Sequence, residues 1–109
     1  MNTEENEFLT YIGDYRIHDS KIEGIFWEDT TLTVTLKSYE GGTIVIKFIR
    51  LQTVNANRPL GMILYAISEL VKNGPYRKFR FANWRDEDDA FLEIISEGIE
   101  ILYSINENQ

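Results

Sequence analysis

Residues 31–50 constrain the fold more than any other stretch, because they form two runs rich in β-branched residues, and the first run alternates polar and apolar residues without a break. Alternation with period two places every second side chain on the same face of a β-strand. The first run covers 31–37, and its apolar members are Leu32, Val34 and Leu36. The second run covers 43–50, and the connection between the runs holds two adjacent glycines, which tolerate the positive φ of a tight turn. An antiparallel hairpin is therefore predicted here.

Length and composition indicate a single domain spanning residues 1–109, with an ordered core over about 4–103 and a polar C-terminal tail. Hydrophobic residues make up 43% of the chain, enough for a packed core, and no apolar run reaches the roughly 20 residues that cross a bilayer. The first residues are acidic, unlike a signal peptide. The sequence has no cysteine, so disulfides and thiolate metal sites are excluded, and a cytoplasmic location is expected.

The formal net charge of −7 comes from 18 acidic and 11 basic residues. Nucleic-acid-binding proteins normally collect positive charge against phosphates, so neither nucleic acid nor a membrane is expected as a partner. A basic protein or peptide matches this charge better. The alternative is that the charge only keeps a small domain soluble.

Further strands are predicted on both sides of the hairpin. Residues 21–28 form a strand that completes a meander over about 22–49, and 76–82 alternate in the same way. Residues 51–57 fit either an extension of the hairpin strand or the start of a crossover. Residues 90–102 fit either strands or a helix, and strands with a break at Glu97 and Gly98 are favoured because a short connection precedes them.

Two segments have helical features. Leu60, Ile63, Leu64, Ile67 and Val71 are spaced like one face of an α-helix, with Pro59 at its start and Gly74 beyond its end. A strand within 62–65 remains an alternative. A short helix is also predicted from a Thr3 cap to Gly13. The predicted fold class is α+β, with an antiparallel sheet of about five or six strands and one or two helices packed on it.

His18, Asp19 and Ser20 are the residue types of a hydrolase triad, but consecutive residues of an extended chain point to alternate sides and cannot form the hydrogen-bonded line that a triad needs. The expected role is local: Asp19 or Ser20 hydrogen-bonds the backbone at a strand entry.

An acidic run, Asp86-Glu87-Asp88-Asp89, offers oxygen atoms that could bind a hard cation, but it lacks the ligand spacing of a calcium loop. A solvated acidic loop is the favoured interpretation. No metal, cofactor or catalytic residue is predicted.

The region 72–89 mixes five cations with aromatic residues and then the acidic run. Aromatic and arginine residues anchor many protein interfaces, so a partner-binding surface is the functional hypothesis, and an ordinary charge-paired strand face is the alternative. The candidate binding residues are Tyr76, Arg80, Trp84, Arg85, Glu87 and Asp88.

The segment from His18 to Ile25, which enters the predicted meander, resembles small bacterial proteins of unknown function that have a His-Asp-Ser strand entry. Some of those proteins are classed as immunity proteins of polymorphic toxin systems. The segments 81–84 and 91–94 carry a similar family-like pattern. The resemblance implies a small α+β protein that binds a partner and does not turn over a substrate.

The leading functional hypothesis is therefore an acidic protein-interaction module, such as an immunity-type inhibitor of a basic toxin domain. A homo-oligomer held by an uncovered sheet face or edge strand is one alternative, since residues 22–27 have apolar side chains on both faces. A small hydrolase or metal-dependent enzyme that uses His18, Asp19 and the acidic run is the other.

Overall fold

The structure, a computed structural model, describes residues 8–85 and 87–104. The described residues form one antiparallel sheet of seven strands. The strands are β1 (Thr10–Ile12), β2 (Lys21–Glu28), β3 (Thr31–Lys37), β4 (Thr43–Asn57), β5 (Leu64–Asn73), β6 (Tyr76–Asn83) and β7 (Phe91–Ser104). The helical residues in these ranges are the three of a 3₁₀ turn, Tyr15–Ile17. The predicted α+β class is therefore wrong, and the sheet has more strands than the five or six expected.

The strand order in the sheet is β1-β5-β6-β7-β4-β3-β2. Four hairpins, β2–β3, β3–β4, β5–β6 and β6–β7, bring neighbours in sequence together. The last strand, β7, lies between β6 and β4 and joins the two groups. β7 has 14 residues and β4 has 15, and this pair of long strands lies at the centre of the sheet.

The sheet curls until the start of β2 meets the segment that leads into β5. The Ile22 N–H donates to the Met62 carbonyl at 3.1 Å, and the Gly61 N–H donates to the Ile22 carbonyl at 2.8 Å. The Leu64 N–H donates to the Ser20 carbonyl at 2.9 Å. Because these bonds hold the sheet in a curled shape, its apolar face packs against itself. The core therefore needs no helix to cover it.

The predicted hairpin over 31–50 is confirmed. Val34 of β3 lies directly opposite Ile46 of β4, and both side chains are fully buried. Alternate residues of each strand face the core as the sequence pattern requires. The fully buried core side chains with the largest volumes are Phe48, Phe79, Phe81, Ile17, Ile22, Leu32, Leu36, Ile44, Ile46, Leu64, Ile67 and Leu92.

The helix predicted over 60–71 is wrong, since the chain turns at Gly61 and then runs as β5. Two register shifts in β5, at 64–66 and 69–72, each offset the alternation of faces by one residue. The buried residues Leu64, Ile67 and Leu70 therefore follow one another at intervals of three, which imitates a helical face. Leu60 and Val71, assigned to that face, are exposed.

The helix predicted from Thr3 to Gly13 lies partly outside the described residues, and where the structure describes the chain it is wrong. Residues Thr10–Ile12 form β1, which pairs with β5 through Tyr11 opposite Ser68. Gly13 has φ of 86° and ends the strand. The polar tail after Ser104 and the predicted core residues before Phe8 lie outside the described residues.

The strand alternatives at 51–57 and 90–102 are confirmed by β4 and β7. The break expected at Glu97 and Gly98 is absent from β7, which continues to Ser104. An irregularity occurs on the neighbouring strand, where the pairing with β7 shifts between Leu51 and Thr53. Arg50, just before this shift, has a positive φ of 56°. The long strands bend here.

Within the described ranges, no helix has the length and apolar character needed to cross a membrane.

Candidate functional site

Three side chains, His18, Tyr65 and Trp84, form a cluster on the surface, which we call the aromatic cluster. The Tyr65 and Trp84 rings stack at 9° to each other with centroids 5.7 Å apart. The His18 ring meets Trp84 edge-on at 5.3 Å and Tyr65 edge-on at 5.5 Å. Tyr65 is 46% and Trp84 51% exposed, so the cluster is ordered by its own contacts while half of its surface remains in water.

The backbone around Trp84 fixes its position. Its N–H donates to the Ile63 carbonyl at 2.9 Å, just beyond the last pair of β5 and β6. The Asn83 side chain accepts from the Arg85 N–H at 3.0 Å and donates to the Ala90 carbonyl at 3.1 Å. The Trp84 side chain therefore projects from a turn held by hydrogen bonds. The register shift at 64–66 turns Tyr65 toward this side chain.

His18 is held in the cluster by the turn that precedes β2. Its Nδ1 lies 3.0 Å from the Tyr65 carbonyl oxygen, and its Nε2 lies 3.7 Å from Asp19 Oδ1. Asp19 adopts a left-handed φ of 68°, and its N–H donates to the Leu64 carbonyl at 2.8 Å. The strand entry is thus bonded to β5, which brings residues far apart in sequence into one cluster.

A cleft of about 300 Å³ opens beside the aromatic cluster. It is lined by Tyr11, Ile12, Gly13, Asp14, Tyr15, Ile17, His18, Tyr65 and Ala66. Tyr11 and Tyr15 are 56% and 72% exposed, and Phe8 packs edge-on against Tyr11 with centroids 5.0 Å apart. We call the cleft and the aromatic cluster together the aromatic surface.

Asp14, which lines the cleft, forms an ion pair with Arg16. The Arg16 Nε donates to Asp14 Oδ2 at 3.1 Å, and the guanidinium lies 3.9 Å from the centre of the Tyr103 ring. The Tyr103 hydroxyl accepts from the Asp14 N–H at 2.9 Å. Hydrogen bonding from Arg16 lowers the pKa of Asp14, whereas burial raises the pKa of Tyr103. At neutral pH Asp14 is therefore a carboxylate and Tyr103 a neutral phenol.

Of the six predicted binding residues, only Trp84 belongs to the aromatic cluster. Arg80 lies mid-strand on β6, where its Nη2 is 2.6 Å from Glu93 Oε2, so its guanidinium is used within the sheet. Tyr76 begins β6 opposite Asn73 and lines a separate cleft. Arg85 and Glu87 are exposed in the connection after β6.

Asp88 has a structural role that the sequence prediction missed. Its Oδ1 accepts from the Ala90 N–H at 3.1 Å and lies 3.4 Å from Arg58 Nη2. The hydrogen bond from Ala90, followed by that from Asn83, lowers the pKa of Asp88. Arg58 also contacts Asp89. These carboxylates tie the connection to the chain just after β4.

The expectation for His18, Asp19 and Ser20 is confirmed, because Ser20 bonds the backbone at the strand entry. The Ser20 hydroxyl is fully buried and donates to the Ile17 carbonyl at 2.6 Å. The His18 ring contacts Tyr65 and Trp84, whereas the Ser20 hydroxyl bonds a backbone carbonyl. His18 and Ser20 therefore do not form a nucleophile–base pair. Across residues 8–85 and 87–104, no three histidine, aspartate or glutamate side chains group closely enough to hold a metal ion.

Sequence reasoning missed Tyr11, Tyr15, His18 and Tyr65 as members of this surface. Tyr11 and Tyr65 had been assigned to helices, where each would have faced the sheet or the solvent without the other. Only long-range pairing of β1 and the β2 entry with β5 brings them together. The one signal in the sequence was that Tyr11, Tyr15 and Tyr65 belong to no run of alternating polar and apolar residues.

Comparisons with protein-family models, with curated proteins and with solved structures found no match. The resemblance carried by 18–25, 81–84 and 91–94 therefore stays a prediction. The geometry and charge of the aromatic surface are the remaining guides to function.

Proposed function

We propose that this protein is a protein-binding module and that its aromatic surface receives a basic segment of the partner. The observation that carries the proposal is the convergence of five exposed rings on one cleft and its rim. These rings belong to Tyr11, Tyr15, His18, Tyr65 and Trp84.

Exposed rings of this kind favour binding because little order has to be created when a partner arrives. Trp84 is already stacked on Tyr65 and edged by His18, so its rotamer is fixed before binding. A preorganised aromatic side chain offers a large contact area at low entropic cost. Tryptophan and tyrosine are the residues found most often at the energetic centres of interfaces.

A cationic segment fits this surface on two grounds. The faces of tyrosine and tryptophan rings attract a guanidinium or ammonium group, with a gain of about 0.5–2 kcal/mol for each such contact. The chain as a whole has 18 acidic and 11 basic residues, so a basic partner is steered toward it over a distance. Glu87, three residues after Trp84 in the sequence, is exposed in the connection between β6 and β7.

An inhibitor of a basic toxin domain is the biological role that best combines these properties. An acidic protein that covers a cationic groove gains association rate from charge and affinity from aromatic anchors. Some of the proteins that residues 18–25 resemble are classed as immunity proteins, although the α+β fold implied by that resemblance is not the fold of this chain. A cysteine-free sequence agrees with binding in the cytoplasm.

The test uses a peptide array in which sequences of equal length are rich in arginine, lysine, glutamate or neutral polar residues. We expect the wild-type protein to bind the basic peptides and not the others. Trp84→Ala should weaken this binding about tenfold or more. Tyr39→Ala is the control, because Tyr39 is 81% exposed and lies in the β3–β4 connection, outside the lining of the cleft.

Equal binding of acidic and basic peptides would contradict the choice of a cationic partner. Failure to bind any peptide, or the same loss with Tyr39→Ala as with Trp84→Ala, would contradict the proposed surface. Circular dichroism of both variants shows whether a loss of binding is a loss of fold.

A further inference from the structure

A second surface, the outer edge of β2, leaves backbone groups without partners in the described part of the chain. β2 is the last strand in the sheet order, with β3 on its inner side. At its start the outer edge is occupied, since Ile22 bonds Met62 and Gly61. From Gly24 to Glu28 no strand among the described residues pairs with this edge.

The geometry of the β2–β3 hairpin shows which backbone groups point outward. Glu28 and Thr31 flank a two-residue turn and face each other as a hydrogen-bonded pair. Hydrogen-bonded and non-bonded pairs alternate along an antiparallel ladder. Trp27 and Ile25, at non-bonded positions toward β3, therefore direct their N–H and C=O groups to the open edge.

The other end of β2 gives the same result independently. Ile22 points its N–H and C=O outward, as its bonds to Met62 and Gly61 show. The register shift between Ile22 and Gly24 inserts one residue and so offsets the alternation by one. Counting from Ile22 across this shift again makes Ile25 and Trp27 the outward residues.

We propose that a second copy of this chain pairs with the open edge of β2, forming a homodimer in which the two β2 strands run antiparallel about a twofold axis at Phe26. Ile25 of each copy then lies opposite Trp27 of the other, and their outward groups form four hydrogen bonds. Phe26 lies opposite Phe26 in a non-bonded pair, where side chains approach most closely. The proposal does not rest on the proposed function.

Other registers are less favourable. A shift by one residue places outward groups of one strand against inward groups of the other. A shift by two toward the start of the strand meets Ile22, whose edge is occupied by Met62. A shift by two toward the end reaches Asp29, where a φ of 61° ends the extended backbone. Only the register centred on Phe26 lets both outward residues of each copy, Ile25 and Trp27, form hydrogen bonds with the other copy.

The side chains along this edge suit a partner of the same sequence. Phe26 and Trp27 are 58% and 63% exposed and lie on opposite faces of the strand. In the dimer, Trp27 of one copy covers the half-buried Ile25 of the other, which is an aromatic–β-branched pair of the kind that stabilises sheets. Neither proline nor a charged residue, the usual protection of an edge strand, occurs within 24–27.

The first test is cross-linking, for which this chain is well suited because it has no cysteine of its own. Wild-type protein should have a solution mass by light scattering of about twice 12.8 kDa. Phe26→Cys should oxidise to a covalent dimer, because non-bonded antiparallel pairs bring the two Cβ atoms within disulfide range. Tyr39→Cys is the control: Tyr39 is 81% exposed in the β3–β4 connection and should not cross-link efficiently.

The second test uses the prediction that residue 26 faces itself across the twofold axis. Phe26→Lys and Phe26→Glu should each weaken dimerisation about tenfold or more, because like charges then oppose each other. Mixing the two variants should restore a dimer containing one copy of each. Exposure of Phe26 makes both changes compatible with folding, which circular dichroism checks.

A monomeric wild-type protein at high micromolar concentration would overturn the proposal. Equal cross-linking of Phe26→Cys and Tyr39→Cys, or a dimer that persists in Phe26→Lys alone, would also overturn it. If either charged variant fails to fold, the cross-linking comparison decides.

Discussion

Two parts of the sheet are built differently. The hairpin part, formed by β3 and residues 43–48 of β4, is a regular pleat whose inward side chains are all at most 1% exposed and whose outward residues are mainly threonine and lysine. The bulged part, formed by β5 and β6, has two register shifts, a carboxylate inside it and aromatic rings outside it. Both parts contribute to one core.

The difference indicates where stability and binding reside. A strand that alternates without interruption buries one complete face and offers mainly polar side chains on the other. Each shift in β5 turns a residue away from regular alternation, and one of them turns Tyr65 outward beside Trp84. The hairpin part should therefore respond to substitution mainly through stability, and the bulged part mainly through local polar contacts and binding.

The largest effect is expected in the hairpin part. Val34→Ala or Ile46→Ala should each reduce the free energy of unfolding by about 2–4 kcal/mol, because both side chains are fully buried and their loss leaves a cavity. Denaturant midpoints measure this effect, with Thr33→Ala on the opposite face of β3 as the control. Midpoints for Val34→Ala that match those for Thr33→Ala would remove the distinction between the two parts.

The bulged part contains a buried ion pair that provides the next test. Arg77 donates from Nε and Nη2 to the two oxygens of Glu69 at 2.8 and 2.9 Å, and the Glu69 side chain is only 8% exposed. Arg77→Met should cost about 2 kcal/mol, less than for a fully enclosed pair, because the Arg77 side chain is 28% exposed. The remaining carboxylate would be buried without its partner.

The cost of Arg77→Met should depend on pH in a defined direction. Hydrogen bonding from Arg77 lowers the pKa of Glu69 below its usual 4.5 in the folded protein. The contribution of the pair is therefore complete above the pKa of the unfolded state and is lost as the pH falls through the lower folded value. Urea midpoints of wild type and Arg77→Met should converge between about pH 5 and pH 2. If the two urea midpoints differ by the same amount over that whole range, the charge of the Glu69–Arg77 pair contributes nothing to stability.

The same two parts explain how much of the fold could be predicted from the sequence. Alternation over 31–37 has one simple physical cause, a pleated strand with one buried face, and it correctly predicted that Leu32, Val34 and Leu36 share the face that is buried. In β5, spacing of buried residues by three has two possible causes, a helix or a strand with bulges. Bulges depend on pairing with β6 and leave no local signal of their own, so the helical interpretation of 60–71 failed.

The candidate site was predictable to a smaller extent for a related reason. Trp84 could be selected because a tryptophan beside cations and a polar turn is typical of an interface. Tyr65 lies 19 positions away in the sequence and meets it through the pairing of β5 with β6. His18 lies 66 positions away and meets it only through the curl of the sheet. Arg80 and Asp88 looked available in the sequence, but Glu93 and Ala90 engage them in the structure.

A smaller effect is expected at the β2 entry, where the two parts are joined. Ser20→Ala removes the buried hydroxyl that donates to the Ile17 carbonyl, and it should cost about 1 kcal/mol. The carbonyl still accepts from the Ser20 N–H at 3.0 Å, which limits the loss. Thermal unfolding of Ser20→Ala and of Ser38→Ala, a second buried serine, gives the comparison. Hydrolytic activity that disappears with Ser20→Ala at unchanged stability would instead indicate an enzyme.

The smallest effect on stability is expected for Trp84→Ala, although this is the residue with the largest expected effect on binding. The indole is half-exposed, and its aromatic contacts contribute about 0.5–1.5 kcal/mol, which partial exposure reduces. The free energy of unfolding should therefore fall by about 0.5–1 kcal/mol. In the single-tryptophan variant Trp27→Phe, the emission of Trp84 should respond to a soluble quencher in the folded protein. A strongly blue-shifted, quencher-protected Trp84, with a loss near that of Val34→Ala, would place the aromatic cluster among the stabilising contacts of the core. The bulged part would then lose its distinction as the binding region.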